Sequence, residues 1–269
     1  MHSFWEPLTL FMHHRVLLRR LARREFEARY RGSVLGLSWA LITPLVMMTV
    51  YTFVFHSVLS SRWPGLAADD RAGYALNLLA GMVIFNILSE SLSRAPRLIL
   101  ENPSYVKKLV FPLEILPAVA LSGAVVSATI GGLVLLVFQW LMRGAPSPEI
   151  LLLPLLLMPL LLLSLGAVYL LSALGVFLRD IGQMISPMLM ILMFLSPVFY
   201  PSETVPLPWR NWLALSPLAA GIGWVRDVVF FGHLPAAGSY LGQLAAGMLF
   251  LALGYRTFKA LRPSFADVI

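Results

Sequence analysis

Cysteine is absent from all 269 residues. That excludes disulfides, thiol nucleophiles and most structural zinc sites, though it does not fix the compartment. Charge is nearly as scarce: Asp, Glu, Lys and Arg make up 12% of the chain and hydrophobic residues 59%, whereas soluble domains carry about 25% charge, which argues against a soluble fold. No GxxxxGK[ST] cradle for nucleotide phosphates occurs, so the chain is not expected to hold ATP in the usual manner. Enzyme readings lack a constellation as well. His2, His13 and His14 lie in the N-terminal flank, His56 near the end of an apolar run and His233 in a late loop, with no HExxH and no carboxylate pair at catalytic spacing. The expectation is therefore no catalytic residue, no metal and no cofactor on this chain. Residues 1–34 show no apolar core followed by a small-residue cleavage site, so no removable signal peptide is expected and the first span directs insertion itself.

What is present is long apolar sequence. Crossing a bilayer takes roughly 20 residues, and Leu35–Leu59, Leu116–Met142 and Ile150–Leu178 each run that far without an acidic or basic residue. The chain reads as an all-α polytopic membrane protein of six transmembrane helices, at 35–59, 74–92, 115–141, 150–178, 183–200 and 239–258. The second is the least clean, since it carries Asn77, Asn86 and Glu90. With both ends cytoplasmic, fifteen basic residues fall inside, counting Arg256 in the last turn of span six, and five outside, a strong bias under the positive-inside rule. A seventh span at 213–231 is interrupted by Pro217 and cut short by Arg226 and Asp227. A short excursion into the outer leaflet and back, between spans five and six, fits that segment better. The net charge of +7 comes from arginines flanking apolar spans, which suits anionic lipid headgroups and argues against nucleic acid.

Two basic segments join apolar ones abruptly. In residues 10–31, Leu10, Phe11, Leu17, Leu18, Leu21, Ala22 and Ala28 share one broad helical face, and most arginines lie off it. This predicts an amphipathic interface helix in the inner headgroup region, although His14 and Glu25 intrude on the apolar face and an ordinary positive-inside flank would look similar. The join at Tyr30-Arg31-Gly32-Ser33 is expected to turn the chain into the bilayer, with Gly32 supplying the backbone freedom. The second segment, ARAPRLILENPSYVKKLVFPLEILP, is bounded by Pro96, Pro103 and Pro112 and suits either a short helix along the membrane surface or a plain loop.

The only carboxylate inside a proposed span is Glu90, near the cytoplasmic end. Ion-coupled transport ordinarily needs more intramembrane ionisable groups than that, and a snorkelling or hydrogen-bonded side chain accounts for it. Arg179-Asp180 reads as a charged pair closing the inner end of spans four and five.

The ordered features resemble the transmembrane permease subunit of type-two ABC exporters for cell-surface polysaccharides such as capsule, O-antigen and teichoic acid. The matching stretches are RYRGSVLGLSWALITPL (29–45), YTFVF (51–55), LLAGMVIFN (78–86), NPSYVKKLVFPLEILP (102–117), GVFLRDI (175–181), LSPVFYP (195–201), LSPLA (215–219) and RPSFADVI (262–269). Each is weak alone; their order and spacing cover almost the whole chain.

The resemblance implies one membrane domain over 1–269, with a cytoplasmic amphipathic segment at 1–34 and a six-span unit at 35–269. It implies a homodimer bound to two copies of a separate cytoplasmic ABC ATPase, which holds the ATP and magnesium. The loop between spans two and three becomes the coupling segment, with Arg97, Asn102, Tyr105, Lys107, Lys108 and Phe111 as its candidate contacts. The interface helix would contribute Arg23, Arg24, Glu25, Arg29 and Arg31. The path would run at the dimer interface between spans one and five, and the excursion would be re-entrant helices at the outer mouth. Aromatic rings stack on sugar faces without adding charge, so Tyr51, Phe55, Phe194 and Tyr200 are candidates for the path. Interfacial aromatic belts fit Phe199 and Tyr200 equally well. Trp209, Trp212 and Trp224 would sit at the mouth, as membrane anchors. The implied setting is the bacterial cytoplasmic (inner) membrane, with polysaccharide substrate, membrane lipids and periplasmic export proteins as partners. Two alternatives stay open. One is an ABC exporter of a drug or lipid; the other is a membrane-embedded glycan-assembly protein without transport activity, for which no acidic active-site motif is found.

Overall fold

A computed structural model describes residues 6–58, 62–67, 70–107 and 111–269, and among these every regular element is helical. Five helices are long and apolar enough to cross a membrane: Gly36–Val58, Arg71–Arg97, Ile115–Arg143, Pro148–Phe177 and Ala237–Val268. They match the expected spans one, two, three, four and six. The expected fifth span, 183–200, is shorter as a helix. It runs Ile181–Leu195, about 22 Å at about 1.5 Å per residue, and Ser196 then turns to extended backbone as Pro197 approaches. Residues 196–199 are buried against the bundle.

The direction of packing fixes how these helices alternate. A side chain added at Gly247 would meet the carbonyl of Pro159, and one added at Gly254 the carbonyl of Gly166. Further along, Tyr169 packs against Phe258 and Phe177 against Phe265. Spans four and six therefore run parallel, their backbones close because small residues face each other. Two parallel spans need one net crossing between them, which the fifth helix supplies.

Between that helix and span six lies a bent pair, Leu207–Ala214 and Pro217–Phe231, with 90° between its arms. Upstream of the pair, the Phe199 carbonyl accepts from the Tyr74 hydroxyl at 3.4 Å, beside the first turns of span two. Downstream, Gly232 sits against Ser147 and Glu149, in the connection between spans three and four. The pair thus starts and finishes at the same end of the bundle. Its bend is held by Gln243 of span six, whose amide donates to the Ala214 carbonyl at 2.7 Å, and by Ser216, the cap of the second arm.

Span two lies at the centre. It packs on spans one, three and four and on the bent pair, and 78% of its most apolar stretch is buried. Span one packs on spans two and three from outside, with none of its corresponding stretch fully buried. Ahead of it, Gly32 takes φ 83° and Gly36 φ 50°, so the expected turn out of the interface helix, Arg15–Tyr30, is present with left-handed backbone where glycine allows it.

Candidate functional site

At the end of the bundle that carries the N-terminal helix, the apolar face is spent on protein. Leu21 is buried with Ile115 and Val119 at the start of span three, and Leu10, Leu17, Leu18 and Phe111 close around them. Glu25, which intruded on that face in sequence, forms an ion pair with Arg94 at the end of span two. Docking on the bundle therefore replaces much of the lipid contact expected of this face. Arg23 is exposed and bonds Glu27 at 2.7 Å; that hydrogen bond, with Glu27's charge, raises the Arg23 pKa above its ordinary value. Arg24 and Arg31 line a shallow hollow of about 440 Å³ with Gly36 and Leu37. The side chain of Arg29 lies outside the described residues.

Among its described residues, the loop between spans two and three holds only short helical turns. A 3₁₀ turn at Ala95–Arg97 and a single helical turn at Pro103–Val106 stand where a short surface helix was expected; closely spaced prolines leave no room for more. Asn102 donates to the Leu98 carbonyl at 2.9 Å, and Tyr105 stacks on Phe111 at 4.2 Å with the rings 8° apart, so these three are engaged within the chain. Arg97 and Lys107 face outward, and Lys108 lies outside the described residues. Beside the loop, the C-terminal segment is pinned by fully buried Phe265 and by Arg262, which meets the buried carboxylate of Glu114 at 2.5 Å. The sequence reading did not single out Glu114.

At the opposite end, three of the four aromatic candidates converge on a ring held in doubt. Phe199, 4% exposed, stacks on Phe55 at 4.8 Å, meets Tyr51 edge-on at 5.0 Å and lies 5.5 Å from Phe194. Tyr200 turns its hydroxyl back to the Phe194 and Leu195 carbonyls. Phe55 sits in a π turn, Phe53–Val58, a widening that recurs at functional sites. Trp209 and Trp212 are exposed, as membrane anchors would be, but Trp224 is buried beside Tyr240.

Arg226 is the residue that sequence reasoning misplaced most. Counted there as an outer-loop charge, it is 6% exposed. Its guanidinium donates to the carbonyls of Asn77 (3.0 and 3.1 Å), Pro197 (2.6 Å) and Val198 (2.8 Å) and lies 4.4 Å over the Trp63 ring. An arginine inside an apolar stretch must find partners, which was the available signal; next to Asp227 it reads as half of a surface pair, and backbone carbonyls answering it leave no trace in sequence. Among the described residues, no group of three or more His, Cys, Asp or Glu could hold a metal ion.

Apolar spans packed around a central helix that carries Asn77, Asn86 and Glu90, with a basic docked helix and loop at one end and an aromatic cluster below a bent helix pair at the other, make up a helical membrane domain. Residues 16–230 match the family model described as ABC-2 type transporter, and the chain belongs to that family. It is 26% identical to an O-antigen export system permease protein RfbA of Myxococcus xanthus, over 95% of this chain and 96% of that protein. It is 25% identical to a protein of the same name from Klebsiella pneumoniae over 93% of each, and 23% identical to the polysialic acid transport protein KpsM of Escherichia coli, over 90% of this chain and 93% of that one. This is a multi-pass membrane protein.

Proposed function

We propose that this chain is the transmembrane half of an ATP-driven exporter of a cell-surface polysaccharide in the bacterial inner membrane, with both termini in the cytoplasm. The observation that carries the reading is the breadth of similarity: relatives named for O-antigen export and polysialic acid transport align over 90% or more of this chain. ATP and magnesium belong to a separate ABC ATPase, for which Arg97, Lys107 and the arginines of the docked helix form the contact surface. Two copies of the chain pair along spans one and five, whose apolar faces a single copy leaves bare. Sugar then slides past the ring cluster of Tyr51, Phe55 and Phe194 beneath bent helices that re-enter the outer leaflet. Weak, uncharged stacking suits a moving polymer, since no one site holds it tightly.

Deleting the gene should remove the polysaccharide from the cell surface and leave polymer inside, and the wild-type chain should restore it. Unchanged surface polysaccharide in the deletion strain would overturn the reading. Lys107→Glu should lower co-purification of the ATPase or separate hydrolysis from export, through charge reversal at a packed contact. Normal complex yield together with normal export would remove the loop from that contact.

A further inference from the structure

A cavity of about 290 Å³ opens between spans one, two and three, away from the ring cluster around Phe199. It lies toward the end of the bundle where Arg94 meets Glu25. Span one contributes Trp39 and Thr43, four residues apart and so on one helical face; span two contributes Asn86 and Glu90 in the same relation; span three contributes Ser127. Ser127 donates to the Glu90 carboxylate at 3.3 Å, and Trp39 is 42% exposed. Within span two, buried Asn77 and Ser91 bond backbone carbonyls of their own helix, yet Asn86 is exposed at this opening.

We infer that this cavity is a saccharide-binding subsite that takes one neutral sugar ring. The indole offers an apolar face to the C–H face of the ring. The carboxylate accepts hydrogen bonds from hydroxyls, the amide both donates and accepts, the Thr43 hydroxyl does either, and the Ser127 oxygen, its proton directed at Glu90, accepts. Ligand pockets start at about 300 Å³, so the space suits a single ring and not a folded chain. No lysine, arginine or histidine lines it, which disfavours a phospholipid headgroup or a sugar diphosphate. The inference rests on the glycan-export reading and adds to it a station upstream of the aromatic cluster, where a sugar unit is first held.

Saturation-transfer NMR on the full chain in lipid nanodiscs, with methyl glycosides of glucose, galactose, mannose and rhamnose as probes, tests this directly. At least one glycoside should receive saturation, and the transfer should fall about fivefold in Trp39→Leu, the loss expected when a ring-stacking contact goes. Asn86→Ala, at an exposed position, should weaken it as well, while Trp140→Leu at the far end of span three should not. Transfer to none of the glycosides, transfer unchanged in both cavity variants, or transfer to glycerophosphoethanolamine in place of the glycosides would each overturn the subsite. The two readings separate: a chain that restores surface polysaccharide but binds no glycoside fails here and leaves export standing, whereas a deletion strain with normal surface polysaccharide fails the export reading itself.

Discussion

Spans one and two differ in a way that reverses the intuition carried over from soluble proteins. Span one has no charged residue, yet none of its most apolar stretch is fully buried; span two carries Asn77, Asn86 and Glu90, and 78% of its own is. In water the more apolar helix would be the inner one. In a bilayer, lipid accepts apolar side chains as readily as protein does, whereas polar groups need partners. Span two obtains them from its own backbone and from the bundle around it. Asn77 bonds back to the Gly73 carbonyl at 2.9 Å and Ser91 to the Ile87 carbonyl at 2.7 Å, Arg226 reaches the Asn77 carbonyl, and Ser127 reaches Glu90. Polarity here marks the centre of the bundle, and pure apolarity marks the side left bare.

The comparison breaks most visibly at Arg226. Arg226→Leu leaves the Asn77, Pro197 and Val198 carbonyls without their donor and should cost about 3–5 kcal/mol, by analogy with breaking a buried polar pair. The measurement is thermal unfolding of the purified chain in detergent, alongside membrane-fraction yield. An unchanged transition would mean that the centre of the bundle is not held by this side chain. Next in size, Leu79→Ala in span two, at a fully buried site, should cost about 2–5 kcal/mol. Val50→Ala in span one, 48% exposed, should stay within about 0.5 kcal/mol. Equal losses at the two positions would erase the distinction between the spans.

Tyr51→Arg sharpens the comparison from the functional side. Tyr51 is half-buried and edge-on to Phe199, so the variant should still insert, but it sets a charge beside the ring cluster that is costly to desolvate as sugar passes. Surface polysaccharide, read by antibody or phage binding, should be lost at near-normal protein level. Wild-type surface polymer at wild-type protein level would take this face of span one out of the path.

How far the sequence could be read follows from the same physics. Long apolar runs announce themselves, so spans one, two, three, four and six stand close to where hydropathy places them, and the turn at Gly32 was legible because left-handed backbone favours glycine. The fifth helix ends early because a proline two residues on disfavours further helix, and a window average does not register that. Hydropathy measures escape from water and cannot separate lipid from protein interior. It therefore read Trp224 as an interfacial anchor and could not decide whether the N-terminal helix leans on headgroups or on Ile115 and Val119. For a buried cation such as Arg226, sequence shows the charge in an apolar stretch but not the carbonyls that satisfy it. Of the candidate residues, Tyr51, Phe55 and Phe194 come together around Phe199, because successive turns of span one meet the segment that follows the fifth helix; Tyr105 and Phe111 instead stack on each other, a pairing that no periodicity encodes.

The smallest expected effect on the chain itself comes from single cysteines along span one, which the absence of native cysteine makes clean. Val46, Val50 and Phe53 are exposed and fall on one stripe of the helix, three and four residues apart; substitution there should leave folding and yield unchanged. In a symmetric pair, residues near the two-fold axis meet their own counterparts, and a disulfide forms only where Cβ atoms approach to about 3.5–4.5 Å. If a second copy covers span one, mild oxidation in membranes should give disulfide-linked dimers along one such stripe and none for cysteines on the opposite side. Leu79→Cys in span two, buried within the protomer, should stay monomeric throughout. Dimers from no position, or from every exposed position alike, would assign span one to lipid and move the pairing surface elsewhere.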